Sequence, residues 1–273
     1  MTVKLDRPAL MDALVVAALE AGAAIWEIFQ GECEVIQKAD ASPVTAADHA
    51  AEAIILAALA KAAPGVPVVA EEEVAAGRIP DVGDRFFLVD PLDGTKEFIR
   101  RGTDFTVNIA LIEDRRPTLG VVYAPGLSRL YAGDEAQGAW TCEAAPGDLA
   151  GGARMPIRIR PAHSPLVAVA SKSHDVPETE AYLKACGVGE RVSIGSSLKF
   201  CLLAAGEADL YPRPSPTHEW DTAAGHAVLV AAGGRVFAPD GSPMLYRKPR
   251  FYNPGFVGTG TYDPPAIGPF MGG

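Results

Sequence analysis

Cysteine is scarce in this chain. Cys33, Cys142, Cys186 and Cys201 are the four among 273 residues, and no two stand at a CxxC spacing. That excludes a disulfide framework and a zinc ribbon, and it fits reduced thiols in a cytoplasmic setting. Aromatics are few, at 7%, yet 48% of the residues are apolar, enough for a core and too many for a disordered chain. Basic residues are outnumbered 24 to 34, for a formal charge of −10. This balance argues against nucleic acid as a partner. It leaves an anionic small molecule open, because a metal ion or local Lys and Arg can reverse the field of one cleft. A long uninterrupted apolar run is also missing. The stretch 9–29 is broken by Asp12, Glu20 and Glu27, and so reads as an amphipathic surface helix rather than a membrane span. With no sign of a secretory leader, the expected location is cytoplasmic. Peripheral association with the inner face of the cell membrane stays open, with the acidity of the chain weighing against it.

Periodicity and punctuation divide what is there. Residues 8–30 predict a helix with Pro8 in its first turn and Gly31 at its stop. Thr45 suits the N-cap of a second helix running to about Ala63, with Asp48 three residues on. "VPVVA" (66–70) and "RFFLVD" (85–90) predict strands. "FTVNIALIE" (105–113), "TLGVVYAP" (118–125) and "RLYAG" (129–133) predict an antiparallel meander, with "DRRP" (114–117) as a turn. After a Gly- and Ala-rich loop at 143–153, "MPIRIRP" (155–161) has the alternation of an edge strand. Strand and helix then alternate: strands at 166–171, 191–195 and 208–213, helices at 177–187, 196–206 (with Ser196 as cap) and 221–234, and a final strand at 235–238. The expected architecture is an α+β part over 1–160 followed by an α/β part over 161–273, with a ligand cleft between them.

The stretch "DPLDGTKEF" (90–98) closes the apolar run "RFFLV" with two acids held apart by a proline. One Asp there would be an ordinary turn residue. Two acids so close repel each other unless cations lie between them. Magnesium is held by few carboxylates together with water and phosphate, and the Leu92 carbonyl, on the turn between Asp90 and Asp93, is a further oxygen. Gly94 permits close backbone approach, and Thr95 opens a short helix over 95–99 whose free N–H groups suit an anion. Other acids stand at comparable element mouths: Asp48, the run Glu71–Glu73, and Asp221 in "EWDTAAGH" (219–226). Each alone reads as a helix cap or a solvated charge run. Together they predict a metal-assisted phosphoester hydrolase.

"EEEVAAG" (71–77), "DPLDGT" (90–95) and "WDTAAG" (220–225) resemble the inositol monophosphatase superfamily of Mg²⁺-dependent, lithium-sensitive phosphatases, in the family's order, from about Lys38 to Gly234. "KADASPVTAAD" (38–48), "DPLDGTKEFI" (90–99) and "SLKFCLLAAGEADLYPR" (197–213) look like its CysQ-type branch, the 3'(2'),5'-bisphosphate nucleotidases. The resemblance implies an inositol monophosphatase/fructose-1,6-bisphosphatase-like αβαβα sandwich. It also implies two to three Mg²⁺ ions: one on Glu71, Asp90 and the Leu92 carbonyl, a second on Asp90, Asp93 and Asp221, and a looser third near Glu71. Thr95, bonded to Asp48, would orient the attacking water. Gly94 and Thr95 N–H groups would hold the scissile phosphate, flanked by Asp93 and Asp221. Ser171, His174, Gly195 and Lys199 would contact the nucleotide. Without the resemblance, Lys199 reads as an exposed helix lysine and His174 as a solvated loop histidine.

The implied reaction is removal of the 3'-phosphate of adenosine 3',5'-bisphosphate (PAP), with its 5'-phosphosulfate analogue as a further candidate, in sulfur metabolism and nucleotide recycling. An inositol- or sugar-phosphate phosphatase shares the metal chemistry and differs in the pocket. A non-catalytic Mg²⁺ or nucleotide sensor is the reading from another class; the Thr95–Asp48 pair weighs against it. Monomer and homodimer are both compatible with the sequence.

Overall fold

The computed structural model describes residues 5–31, 35–37, 43–171 and 176–271. Helix α1 (Arg7–Gln30) starts where Asp6 accepts a hydrogen bond from the Ala9 N–H at 3.2 Å, and ends at Gly31. It is long and apolar enough to cross a membrane, but Leu10, Leu14, Ala18, Leu19 and Ile25 lie in the protein core. A short antiparallel pair, β1 (Val35–Gln37) and β2 (Pro43–Thr45), leads into α2 (Ala46–Ala62). The expected cap of α2 is present as a capping box: Ala47 N–H donates to the Thr45 hydroxyl, and the Asp48 carboxylate accepts from the Thr45 N–H.

Helices α1 and α2 cover one face of a seven-stranded sheet. Its order is β3 (Val68–Ala70), β4 (Arg85–Asp93), β5 (Thr106–Glu113), β6 (Arg116–Ala124), β7 (Arg129–Asp134), β8 (Gly138–Glu143) and β9 (Met155–Ile157). β3 and β4 are parallel, joined through the one-turn helix α3 (Glu71–Ala75); the remaining pairs form the antiparallel meander. Both faces of the sheet are buried, which is why "RFFLV" is apolar without alternation. Phe87 and Val89 pack toward α1 and α2, while Phe86 and Leu88 pack toward the opposite side.

That opposite side holds α6 (Leu198–Ala204) and α7 (Trp220–Ala231), packed on each other. α7 lies so close to the sheet that a Cβ on Gly120 would come within 2.6 Å of the Ala224 carbonyl oxygen. Beyond them runs a second sheet of order β11 (Val188–Ile194), β10 (Leu166–Ser171), β12 (Leu210–Arg213), β16 (Phe256–Thr259) and β14 (Arg235–Phe237). Helix α5 (Pro177–Ala185) covers its outer face, around Leu166, Tyr182, Leu210 and Val257. The layers therefore run α, β, α, β, α, the sandwich expected from the resemblance.

Several details differ from the sequence reading. The stretch 71–75 forms helix α3 rather than a bare charge run, β1 and β2 were not foreseen, and the strand expected over 155–161 ends at Ile157. β8 was not foreseen between β7 and the loop that follows. The strand at 235–237 is not the last: β16 follows and lies inside the second sheet between β12 and β14. Ser196 does not cap α6. Its backbone has φ +59°, and the helix begins two residues later, with no side-chain cap on Ser197.

Candidate active site

β4 is interrupted at its C-terminal end. Asp90 pairs in register with Asn108 and Asp93 with Thr106, and between them the ladder shifts around Pro91, which has no N–H to give. The bulge turns Asp90 inward, 2% exposed, and its carboxylate accepts from the Leu92 N–H at 3.1 Å. Gly94 follows at φ +94°, where a Cβ would also crowd the Asp104 carbonyl at 3.2 Å. Helix α4 (Thr95–Ile99) starts there with no side-chain cap on its first N–H groups. The Thr95 hydroxyl lies 3.2 Å from both the Asp48 carboxylate and the Leu92 carbonyl. The other oxygen of Asp48 accepts from Thr45 N–H and Oγ1, both at 2.7 Å, so the capping box that starts α2 also aims Asp48 at Thr95.

Glu71 opens α3, and Asp221 lies in the first turn of α7, where it accepts from His218 N–H at 2.8 Å. The acids share one field. Burial, then the charges of Glu71, Asp93, Asp221 and Asp48, push the Asp90 carboxyl well above the usual carboxylate range. Asp221 is raised in the same way, by burial and then by Asp93 and Glu71. Asp93 is raised by burial, opposed by the Ser196 hydroxyl and Lys199. Among the described residues, no three His, Cys, Asp or Glu side chains are drawn together as a finished metal shell. Glu71, Asp90, Asp93 and Asp221 line one cavity, near enough to feel each other's charge. Hard oxygen donors that repel one another and are buried fit a divalent cation such as Mg²⁺, whose charge would remove the strain. Of the run 71–73, Glu73 pairs with Arg78, and Glu72 is buried and donates its N–H to Glu52 at 2.9 Å, so the three acids have three different surroundings.

The same cavity also carries cations. Lys199 is 3% exposed, not a solvated helix lysine; its Nζ donates to the Ser196 carbonyl at 2.6 Å and lies over the Tyr211 ring. Burial draws its ammonium pKa down to about 8, against the pull of Asp93. Arg213, at the end of β12, has its Nε buried with no hydrogen-bond partner among the described residues. The cavity measures about 520 Å³ and is lined by Glu71, Asp90, Asp93, Thr95, Lys199 and Arg213. Gly195 is at its floor, where a Cβ would meet the Asp104 carbonyl oxygen at 2.7 Å. Tyr211 is cleft wall, packed edge-on against Phe200 and Phe256. Cys201 is wholly buried packing.

Several residues of this site escaped the sequence reading, Arg213 and Ser196 among them. Arg213 was legible only as a charge ending an apolar strand before a proline-rich turn. Ser196 looked like a helix cap, whereas its hydroxyl donates to Asp93 at 2.7 Å. Ser171 ends β10, but its side chain and the whole of His174 lie outside the described residues.

Known proteins share this chain's sequence and fold. The model of the inositol monophosphatase family matches residues 7–259. The chain is 47% identical over 250 residues to the 3'(2'),5'-bisphosphate nucleotidase CysQ of Escherichia coli strain K12, covering 90% of this chain and 98% of that protein. It is 49% identical over 242 residues to the CysQ nucleotidase of Salmonella typhimurium, covering 88% and 95%. Among solved structures, CysQ from Bacteroides thetaiotaomicron superposes with a TM-score of 0.79 at 39% identity, over 96% of this chain and all of that one. An inositol monophosphatase from Anabaena shares the fold, with a TM-score of 0.73 at 24% identity. A bulged strand end, four carboxylates in one field and these likenesses lead to one conclusion: the chain belongs to the inositol monophosphatase family.

Proposed function

We propose that this chain is a Mg²⁺-dependent 3'(2'),5'-bisphosphate nucleotidase that converts PAP to AMP and phosphate. The observation that carries the reading is that one cavity is lined by both kinds of charge: the carboxylates of Glu71, Asp90, Asp93 and Asp221, and the cations of buried Lys199 and of Arg213. A substrate with two phosphates uses both kinds; an inositol monophosphate has less use for the cations. The close likeness to CysQ nucleotidases over nine-tenths of the chain supports the same assignment.

Glu71, Asp90, Asp93, Asp221 and the Leu92 carbonyl would hold the ions. When bound, Mg²⁺ supplies charge neutralisation at the phosphate and a water of lowered pKa. The chain's own residues do the rest. Asp48 fixes the Thr95 hydroxyl, which orients the attacking water toward phosphorus. The Gly94 and Thr95 N–H groups hold the phosphate oxygens of the scissile group. Lys199, Gly195, Ser171 and His174 would bind the remaining nucleotide, with Arg213 beside Lys199 at the second phosphate. The water oxygen joins phosphorus, the P–O3' bond breaks, and the 3'-oxygen leaves as the hydroxyl of AMP. No covalent enzyme intermediate is needed. In this reading residues 1–160 supply the metal side apart from Asp221, and 161–273 most of the nucleotide side.

Phosphate release under saturating Mg²⁺ tests the assignment on PAP, its phosphosulfate analogue, inositol monophosphate and fructose bisphosphate. PAP is expected to be turned over far faster than the inositol ester. Equal or inverted rates reject the assignment.

A further inference from the structure

At the mouth of the cavity, β13 (Thr217–His218) pairs antiparallel with β15 (Tyr252–Asn253), with His218 opposite Tyr252. Residues adjacent along a strand face opposite ways. Asn253 accordingly points inward and is wholly buried, while Tyr252 is 39% exposed and His218 is exposed beside it. The inward side is pinned with care. Asn253 Nδ2 donates to the Thr217 hydroxyl at 3.1 Å, the His218 carbonyl at 2.9 Å and the Thr222 hydroxyl at 3.1 Å. Glu219, wholly buried, accepts from the Arg247 and Lys248 N–H groups and pairs with Lys248 Nζ at 2.6 Å, tying the segment before β15 to the start of α7.

The outward side carries rings. His218 lies parallel on Trp220, with centroids 4.4 Å apart and planes 7° apart, and Tyr252 stands edge-on to His218 at 5.8 Å. His218, Trp220 and Tyr252 all line the cavity. Trp220 is itself buried, but the exposed His218 and Tyr252 rings, held in the open by a buried polar scaffold, need a reason, because folding alone favours covering them. A preorganised aromatic corner, two rings at 76° to each other beside a phosphate site, offers one: a base stacks on the face of one ring and meets the other edge-on.

We propose that the His218–Tyr252 pair, backed by Trp220, is a stacking ledge that receives the heteroaromatic base of the substrate nucleotide. The inference rests on the nucleotide reading of the cavity and deepens it. The carboxylates and cations take the phosphates, and the ledge takes the part of the substrate that distinguishes a nucleotide from a sugar phosphate. Stacking reads a π-face rather than a hydrogen-bond pattern, so the ledge selects for the presence of a base.

The test is calorimetric titration of the Mg²⁺-loaded protein with AMP and with ribose 5-phosphate, which share sugar and phosphate and differ by the base. The unaltered protein is expected to bind AMP more tightly. Tyr252→Ala and His218→Ala are each expected to weaken AMP by roughly tenfold, with ribose 5-phosphate binding alike in all forms. Tyr252→Phe keeps the ring and is expected to keep the affinity. Tyr252→Leu preserves an apolar strand residue and is expected to behave as the alanine variant does, which separates ring loss from misfolding. The KM for PAP should rise in step with AMP binding. Equal affinity of the unaltered protein for the two ligands, or an equal loss for both in the variants, overturns the ledge. If PAP is not hydrolysed at all, the nucleotidase assignment falls, while the AMP and ribose 5-phosphate comparison still decides the ledge.

Discussion

The charge of Lys199 is the residue-scale feature with the clearest consequence. Its ammonium has lost most of its water and keeps a carbonyl and a ring as neighbours, so its pKa sits at about 8 rather than in the ordinary lysine range. Below that pH it is charged and can bind a phosphate; above it the charge is lost. The KM for PAP is therefore expected to rise as pH passes through about 8, in the profile of the free enzyme. Lys199→Met should remove that limb and lower kcat/KM for the bisphosphate by roughly 10- to 100-fold, the worth of a charged hydrogen bond. Steady-state kinetics from pH 6.5 to 9.5 measure both effects; an unchanged alkaline limb in the variant would assign it to another group. Asp90 makes the complementary case. Its buried carboxylate is raised by its neighbours' charges, so in metal-free protein it costs stability that a bound cation would return. Asp90→Asn should raise the melting temperature of the metal-free protein while abolishing turnover and the stabilisation by added Mg²⁺. A variant that melts lower without metal would contradict this account of the acids.

At the scale of elements, the site depends on how closely α7 can approach the seven-stranded sheet. Gly120 and Gly133 leave room for it: a Cβ on the first would meet the Ala224 carbonyl at 2.6 Å, and on the second the Val228 Cα at 2.7 Å. The contacts are backbone, which cannot rotate away. Gly120→Ala is expected to destabilise by about 1–3 kcal/mol, the usual cost of overpacking. Because α7 carries Asp221, the variant should also weaken Mg²⁺ binding in titration; loss of stability with unchanged metal affinity would show that the helix moves as a unit without disturbing its first turn. The same scale explains what the sequence made legible. The ends of α2, α4 and β10 could be read because their determinants are local: a capping box, a glycine before a threonine, an apolar run between turns. The acids could be read as a set because each stands near the start or the end of an element. Ser196 could not, since its positive φ and its bond to Asp93 are imposed by a strand about a hundred residues away in sequence. β16 was hidden for a similar reason: four residues between glycines become a strand only with β12 and β14 on either side.

The whole molecule places its active cavity where the two sheets and the middle helices meet, and that middle layer is held by polar groups as well as apolar ones. His226 on α7 is 5% exposed, and its Nδ1 lies 3.0 Å from the Tyr246 hydroxyl, which also reaches Thr222 at 3.2 Å. Burial, with Lys248 and Arg116 adding repulsion, lowers the imidazole pKa to about 3. The folded chain thus keeps His226 neutral at pH values where the unfolded chain protonates it near 6.5. Between these two values the unfolded state binds the extra proton, so stability falls as pH falls, with slope set by that one site. By pH 5 the loss from this residue amounts to about 2 kcal/mol. The crowded acids act in the opposite sense: Asp90 and Asp221 have folded pKa values above their unfolded ones, so acid relieves their repulsion in metal-free protein. The net curve mixes the two, and a variant is needed to separate them. Urea unfolding of metal-free protein at pH 7 and pH 5 is expected to show a smaller acid loss in His226→Gln than in the unaltered chain, by about 2 kcal/mol. Parallel pH dependence in the two forms would mean that His226 is charged in the folded state, and that the middle layer tolerates a cation where its packing now shows a neutral ring.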